Sequence, residues 1–538
     1  MTAFTRRTVL KGALAAAGTA VVVPATAASA VNRPSAIPLV RNRLTLPSGI
    51  ATGDVTTSSG VLWSRASGPG RLVANLLAVD DGGTPLSGGR AFHRVLRGTS
   101  ATGATDFTSK ILAERLPGGT RFDLTLSFED MDGYAGESVK GMFSTAPDTA
   151  ALMKRDGTPR RQSFVWSGDT AGQGWGINES IGGMRGYAAM HATRPDFFIH
   201  SGDTIYADGP ISAQVTEPDG QIWHNLVTEE VSKVAESLEE FRGRHRYNLM
   251  DANVRAMYAE VPVIAQWDDH ETHNNWYPGE IIADARYRER RVDVLAARGR
   301  QAWQEYQPIA QLSDGSTGFE PARIYRKISR GPQLDIFCLD MRTFKDPNTD
   351  GNETDLRAIL GQEQSDWLIK EVSRSKATWK VISADLPLGL IVPDGAAQES
   401  LSNGDDGAPL GKELEIARVL SAFKRNRVKN IVWLTADVHY CAAHHYSPER
   451  AAFRDFDPFW EFVAGPINAG TFGPSGLDHT FGPEVAFFKA GAYPNQSPRT
   501  GTSQYFGHVD LDQDDVFTVT LRDATGAVLW GKALTPER

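Results

Sequence analysis

The stretch "FFIHSGDTIYADGP", Phe197 to Pro210, sets a short apolar run directly before Asp203, Tyr206 and Asp208. A run of this length bounded by turn residues reads as a strand buried on both faces. The same grammar recurs five times: "FVWSGD" ends at Asp169, "VIAQWDD" at Asp268 and Asp269, "LDIFCLD" at Asp340, "KVISAD" at Asp385 and "IVWLTAD" at Asp437. Helical patterns lie between the later runs, "GQEQSDWLIKEVSRSK" leading into "TWKVIS" and "GKELEIARVLSAFKRNR" into "NIVWLT". Such alternation predicts an α/β domain after Gln162, with Glu229 to Tyr258 as an inserted helical segment. One Asp after a strand is ordinary turn or capping chemistry. Six runs ending this way suggest more, because ligands of α/β sheets gather beyond the carboxyl ends of strands. The runs deliver their carboxylates toward one rim.

From Leu44 to Ala146 the pattern is different. The β-type runs "GVLWSRA", "RLVANLLAVD", "RFDLTLSFED" and "SVKGMFSTAP" are divided by Gly-rich turns, which predicts an antiparallel sandwich without a catalytic cluster. A charged linker, "DTAALMKRDGTPRRQ", follows. The expected organisation is a targeting segment over 1–30, an N-terminal β-sandwich domain over 40–147 and an α/β domain over 160–538. With 538 residues, 41% of them hydrophobic, the chain can bury a large core. A net charge of −9 and the lack of any Lys/Arg block argue against sequence-specific nucleic-acid binding.

At the N-terminus, "FTRRTVLKG" places Arg6 and Arg7 ahead of an Ala-rich apolar run that ends in Ala28, Ser29 and Ala30, an A-x-A-like cleavage site. Pro24 interrupts a run already short for a membrane span. The segment looks like a twin-arginine signal, so the expectation is a secreted or periplasmic protein exported in the folded state by the twin-arginine machinery. The two cysteines, Cys338 and Cys441, supply no disulfide framework, and Cys338 reads as a buried structural thiol.

Crowded carboxylates repel one another by several kcal/mol unless protons or cations intervene, so the shared rim predicts bound metal. His270, His273, His439 and Tyr206 widen the donor set. Mixed carboxylate, phenolate and imidazole ligation suits Fe or Mn, and a carboxylate-only neighbour suits Ca²⁺ or Mg²⁺. Two ions about 3.5–4 Å apart, bridged by one Asp, would clamp a phosphate for in-line attack. His200, His444 and His445 read as locally bonded or surface histidines. Asp385 is a further candidate ligand. Arg342 in "LDMRTF" is either a partner for Asp340 or a phosphate contact, and "NNWY" either carries a ligand or is a helix-entry turn.

"SGDTA" at Ser167, "GDTIYAD" at Gly202, "WDDHE" at Trp267 and "ADVH" at Ala436 resemble the ordered blocks of the calcineurin-like metallophosphoesterases, with the tyrosine of the purple acid phosphatase variant. The chain is more similar still to the alkaline phosphatase D (PhoD-type) family, which includes some secreted phospholipases D, through "GVLWSRA", "FSTAP", "WDDHETHNNW", "LDMR" and "FVAGPINAG". This resemblance spans essentially the whole chain. It implies a β-sandwich followed by a four-layer α/β/β/α metallophosphatase domain. It implies a phosphoric ester hydrolase, a mono- or diesterase with an alkaline optimum, whose nucleophile is a water or hydroxide held by metal. By the same resemblance Asp203 is the bridging ligand, Tyr206 the phenolate on Fe³⁺ and His439 its partner. Asp437 and Asp269, with Asn274 or the competing Asn275, fall on the Ca²⁺ side, and His270 is the catalytic histidine. Mn²⁺, Zn²⁺ and Mg²⁺ are the alternative ions. One departure concerns the first block, where the family's "SCQ" cysteine ligand is replaced by Asp169 in "SGDTAGQ". The alternative functions are a phospholipase D cleaving lipid head groups at the same metals, and a non-catalytic surface binding protein.

Overall fold

All six runs form strands, Gln162–Ser167, Phe197–His200, Val263–Ala265, Leu334–Cys338, Trp379–Ser383 and Ile431–Thr435, nearly every residue of which is buried. The computed structural model describes residues 43–152, 161–310 and 323–538. The expected targeting segment and most of the linker lie outside these residues. The first three strands are parallel neighbours in a nine-stranded sheet, in register through Val165↔Phe198 and Ile199↔Ile264. The other three are parallel neighbours in a seven-stranded sheet, through Phe337↔Ile382 and Ile382↔Trp433.

Because successive strand side chains point to opposite faces, each run serves two cores. Phe164, Trp166, Phe197, Ile199 and Ile264 of one sheet pack against Leu334, Ile336, Val381, Val432 and Leu434 of the other. The alternate residues face helices. Val165, Phe198, Val263 and Ala265 share a core with residues of α1 (Arg185–Ala192), α2 (Leu238–Asn248), α3 (Ala252–Glu260) and α4 (Val292–Tyr306). Phe337, Ile382 and Trp433 are covered by α5 (Gln362–Arg374) and α6 (Glu413–Arg425) through Leu368, Val372, Ile416 and Leu420. The result is helix, sheet, sheet, helix. The inserted segment supplies α2 and α3, started by a Ser237–Glu240 capping box and by the Asp251 side chain.

The β-rich N-terminal segment builds two sheets. Strands Gly70–Val79, His93–Ala101, Arg121–Glu129 and Ala135–Ser144 form a four-stranded antiparallel sheet. Ile50–Gly53, Ser59–Arg65 and Thr108–Glu114 instead continue the nine-stranded sheet, Gly53 pairing in parallel with Val263. Leu62, Ile111, Leu72, Leu124 and Phe128 fill the space between the two sheets. The same strands reach into the next core, where Trp63 Nε1 donates to the Glu305 carbonyl at 2.7 Å. Asp54 takes a two-toothed ion pair from Arg326, and Asp106 takes Arg65 and Arg246. Residues Arg43–Arg538 accordingly form one compact unit. No helix of the described residues is long and apolar enough to cross a membrane.

Candidate metal centre

The turns after the strands are tight enough to leave ordinary backbone conformations. Asp169 (φ +68°), Asp203 (φ +51°), Asp437 (φ +65°) and His439 (φ +57°) all adopt the left-handed region. Each such residue costs on the order of 1 kcal/mol and persists where the surroundings over-determine it. Glycines supply the room. At Gly202 (φ +106°) a Cβ would collide with the Asp268 side chain, and at Gly172 with the Tyr206 ring. Glu271 ties two turns together, accepting from Asp203 N (3.2 Å), Thr204 N (2.6 Å) and Asp268 N (2.7 Å).

Two pockets result. In the first, ligand atoms of Asp169, Asp203 and His439 lie within 4.8 Å of one another. His439 Nδ1 is 2.5 Å from the Gly470 carbonyl, an acceptor only, so Nδ1 carries the proton and Nε2 is free to ligate. The Tyr206 hydroxyl meets that Nε2 at 2.9 Å, which brings a fourth donor to the same point. Burial depresses the His439 pKa to about 4, keeping the ring neutral. In the second pocket Asp268, Asp269 and Asp437 satisfy the same distance limit. Asp203, Asp269 and His270 form a third group that joins the two, Asp203 belonging to the first pocket and Asp269 to the second.

Both oxygens of Asp169, Oδ2 of Asp203 and Oδ1 of Asp269 are buried without a hydrogen-bond partner. Burial and the neighbouring carboxylates push the Asp169 and Asp203 pKa values well above the usual range. Unpartnered buried oxygens are costly, and cations are what an oxygen-rich set with one imidazole and one phenol would accept. The residues therefore fit a pair of metal ions.

His270 stands beside the pockets. Its Nδ1 is 2.7 Å from Asp208 Oδ1, its backbone N–H donates to Asp203 Oδ1 at 3.1 Å, and its ring lies 4.1 Å from that of Tyr206. Burial works against a charge on His270, but Asp208 and Asp269 outweigh it and raise the pKa to about 10. Asn274 is exposed and contributes its backbone N–H to Asp208 Oδ2 at 2.9 Å, while the Asn275 N–H donates to Asp269 Oδ2 at 2.5 Å. Neither asparagine side chain takes part in these bonds.

Arg342 lies elsewhere than the sequence suggested. Its side chain has 0% exposure; Nε donates to Asp268 Oδ1 at 2.6 Å and to Asp385 Oδ2 at 3.2 Å, Nη1 to Glu399, and Nη2 is 3.5 Å from Asp437 Oδ1. Burial opposes its charge, and Asp268 and Glu399 more than offset that. Only its backbone N–H reaches Asp340, at 3.2 Å. An enclosed guanidinium surrounded by carboxylates gives no support to a phosphate contact. Asp385 serves the same network, accepting from Arg342 and standing outside all three ligand groups found among the described residues.

His200, bonded through Nε2 to Thr170 and Tyr187, and His444, bonded to Glu461, are buried core residues, and Cys338 is buried. Sequence reasoning placed Asp268 among the rim carboxylates and Asp208 in the first acidic stretch without a specific role for either, and gave Glu271 and Glu399 none. Asp208 and Asp268 were legible as members of the same acidic stretches; Glu399 follows no strand of the rim and only folding brings it to Arg342.

Residues 164–520 match the family of PhoD-like phosphatases. The alkaline phosphatase D of Bacillus subtilis (strain 168) is 30% identical over 298 residues, 53% of this chain and 48% of that protein. The chain thus spans about half the length of this relative. A solved structure of PhoD superposes with a TM-score of 0.65 at 20% identity, covering 93% of each chain. The purple acid phosphatase PPD1 from yellow lupin (Lupinus luteus) seeds gives a TM-score of 0.53 at 11% identity, covering 92% of this chain and 74% of that one. At these identities the two structures speak for the mixed α/β, multi-sheet fold.

Proposed function

The chain belongs to the PhoD-like phosphatase family, and from that premise we propose that it is a metal-dependent phosphoric ester hydrolase acting on phosphate mono- or diesters. The observation that carries this reading is the pair of adjoining pockets linked through Asp203, Asp269 and His270, with unpartnered buried oxygens on Asp169, Asp203 and Asp269. Asp169, Asp203, Tyr206 and His439 would hold Fe³⁺, and Asp269, Asp437 and Asp268 would hold Ca²⁺, with Mn²⁺, Zn²⁺ or Mg²⁺ as replacements. Asp169 takes the position of the family's cysteine, exchanging a thiolate for a carboxylate. Asn274, whose backbone supports Asp208, is the weaker ligand assignment of the set. When bound, the ions supply charge against the phosphate and acidify a water for attack on phosphorus.

The chain's own residues would do the rest. His270, fixed through Nδ1 by Asp208, can hold a proton on Nε2 for the leaving oxygen. The Tyr206 ring packs at a tilt against that ring and restricts its swing. Glu271 holds the Asp203 and Asp268 turns together. Export by the twin-arginine machinery, from the Arg6–Arg7 leader, would deliver the folded protein to the periplasm or exterior.

The test is elemental analysis of the purified protein, followed by hydrolysis of a soluble phosphomonoester, a soluble diester and a choline phospholipid, before and after chelation. Two metal equivalents, with soluble-ester turnover lost on chelation and regained with metal, are expected. Turnover confined to the lipid would make the protein a phospholipase D. Turnover on none of the three, or full activity without metal, would sink the reading.

A further inference from the structure

The second pocket is built from both sheets: Asp268 and Asp269 follow Val263–Ala265 of the nine-stranded sheet, and Asp437 follows Ile431–Thr435 of the seven-stranded one. Side-chain hydrogen bonds already join the sheets at this end. Gln266 Nε2 donates to the Leu339 and Ser383 carbonyls at 3.1 and 2.8 Å, and Trp267 Nε1 to Asp340 Oδ1 at 2.9 Å. These bonds fix backbones. The carboxylates of the pocket carry like charges and repel one another, and those backbone bonds do not offset that repulsion.

Arg342 is the cation that reaches both halves. Its guanidinium lies on Oδ1 of Asp268 and 3.5 Å from Oδ1 of Asp437, so each carboxylate has a second oxygen that the guanidinium does not use. From behind, Glu399 accepts Nη1 and is itself paired with Lys345 Nζ at 2.8 Å, which fixes the direction of the fork. Only a planar, multiply donating cation can span two carboxylates at fixed angles; a lysine ammonium is a point charge without that geometry.

Resting on the metal-centre reading above, we propose that Arg342 is a positioning residue for the second pocket, setting Asp268 and Asp437 across the sheet junction at the spacing a divalent cation requires. It touches neither substrate nor metal. No hydrogen bond or ion pair among the described residues links it to Asp169, Asp203, Tyr206 or His439, so its influence is selective for one pocket.

The experiment uses the full chain carrying Arg342→Lys or Glu399→Gln, each checked for wild-type secondary structure and a cooperative melt. Metal content is measured after dialysis, and calcium is then titrated back calorimetrically. In Arg342→Lys one metal equivalent stays and the second binds calcium about 10- to 100-fold more weakly. Excess calcium then restores turnover. Glu399→Gln leaves the guanidinium among three carboxylates, so it folds, and it shows a smaller loss in the same pocket. Two outcomes overturn the proposal: unchanged calcium affinity in both variants, or equal weakening of both equivalents in step with melting temperature, as a purely structural role predicts. Wild-type protein without a second metal equivalent would overturn the metal-centre reading itself, a failure seen before any variant is made.

Discussion

Asp203 accepts the His270 backbone N–H on one oxygen and leaves the other unpartnered between the pockets. Asparagine at this position keeps the shape and removes the charge that a bridging ligand needs. Asp203→Asn is therefore expected to abolish turnover and reduce bound metal, as elemental analysis of the variant would register; full metal content with normal rates would remove Asp203 from the bridging role. Asp208 acts one step back, on His270 Nδ1 at 2.7 Å. With Asp208→Asn the imidazole loses the charge that raises its pKa, and kcat falls about 10- to 100-fold with metal content retained. A parallel fall in both would recast Asp208 as a metal-site residue. At this scale the residue types of the acidic stretches announced metal chemistry. They could not announce that Arg342 would be enclosed by Asp268, Asp385, Glu399 and Asp437, because its partners come from separate turns.

The elements work as strand-plus-turn units, and after three of the six strands the turn holds its aspartate, Asp169, Asp203 or Asp437, in the left-handed region. Gly202 carries the tightest of these turns, at φ +106° against the Asp268 side chain. Gly202→Ala combines backbone strain with a collision, and a loss of about 1–3 kcal/mol is expected, read as a lower melting temperature together with weaker metal binding. Unchanged melting would mean that the turn relaxes without cost. The six strands were readable because continuous apolar runs ending in Gly or Asp have few other uses. α2 was less so: Arg242, Arg244 and His245 are buried in it, and a charged sequence hides a packed helix unless its partners, such as Glu305 for Arg242, are known.

Across the whole molecule, the β-rich segment and the phosphatase-type core share one sheet. A truncated chain beginning at 160 would strip Ile50–Gly53 from Val263–Ala265 and expose Trp63's site on α4. Such a fragment is expected to be insoluble or to melt without cooperativity in calorimetry; a soluble, active fragment would show the segment to be an independent domain. Metal acts at this scale too. Ions held across two sheets bind the folded state alone, and each site filled at about 100 times its Kd adds about 2.7 kcal/mol. Chelation should lower the melting temperature by several degrees, and an unchanged melt would place the ions away from the sheet junction.

By itself the sequence determined the α/β class, the strands of the rim, and the chemistry of a carboxylate-rich, metal-binding edge with Tyr206, His270 and His439 beside it. These follow from local rules, since apolar periodicity and turn residues act within a few positions along the chain. Only the tertiary structure decided which carboxylates share a pocket, that Arg342 is enclosed by four of them, and that the N-terminal strands complete the core sheet. Those outcomes depend on which strand ends meet when two sheets pack face to face, a relation between distant residues that no local pattern encodes.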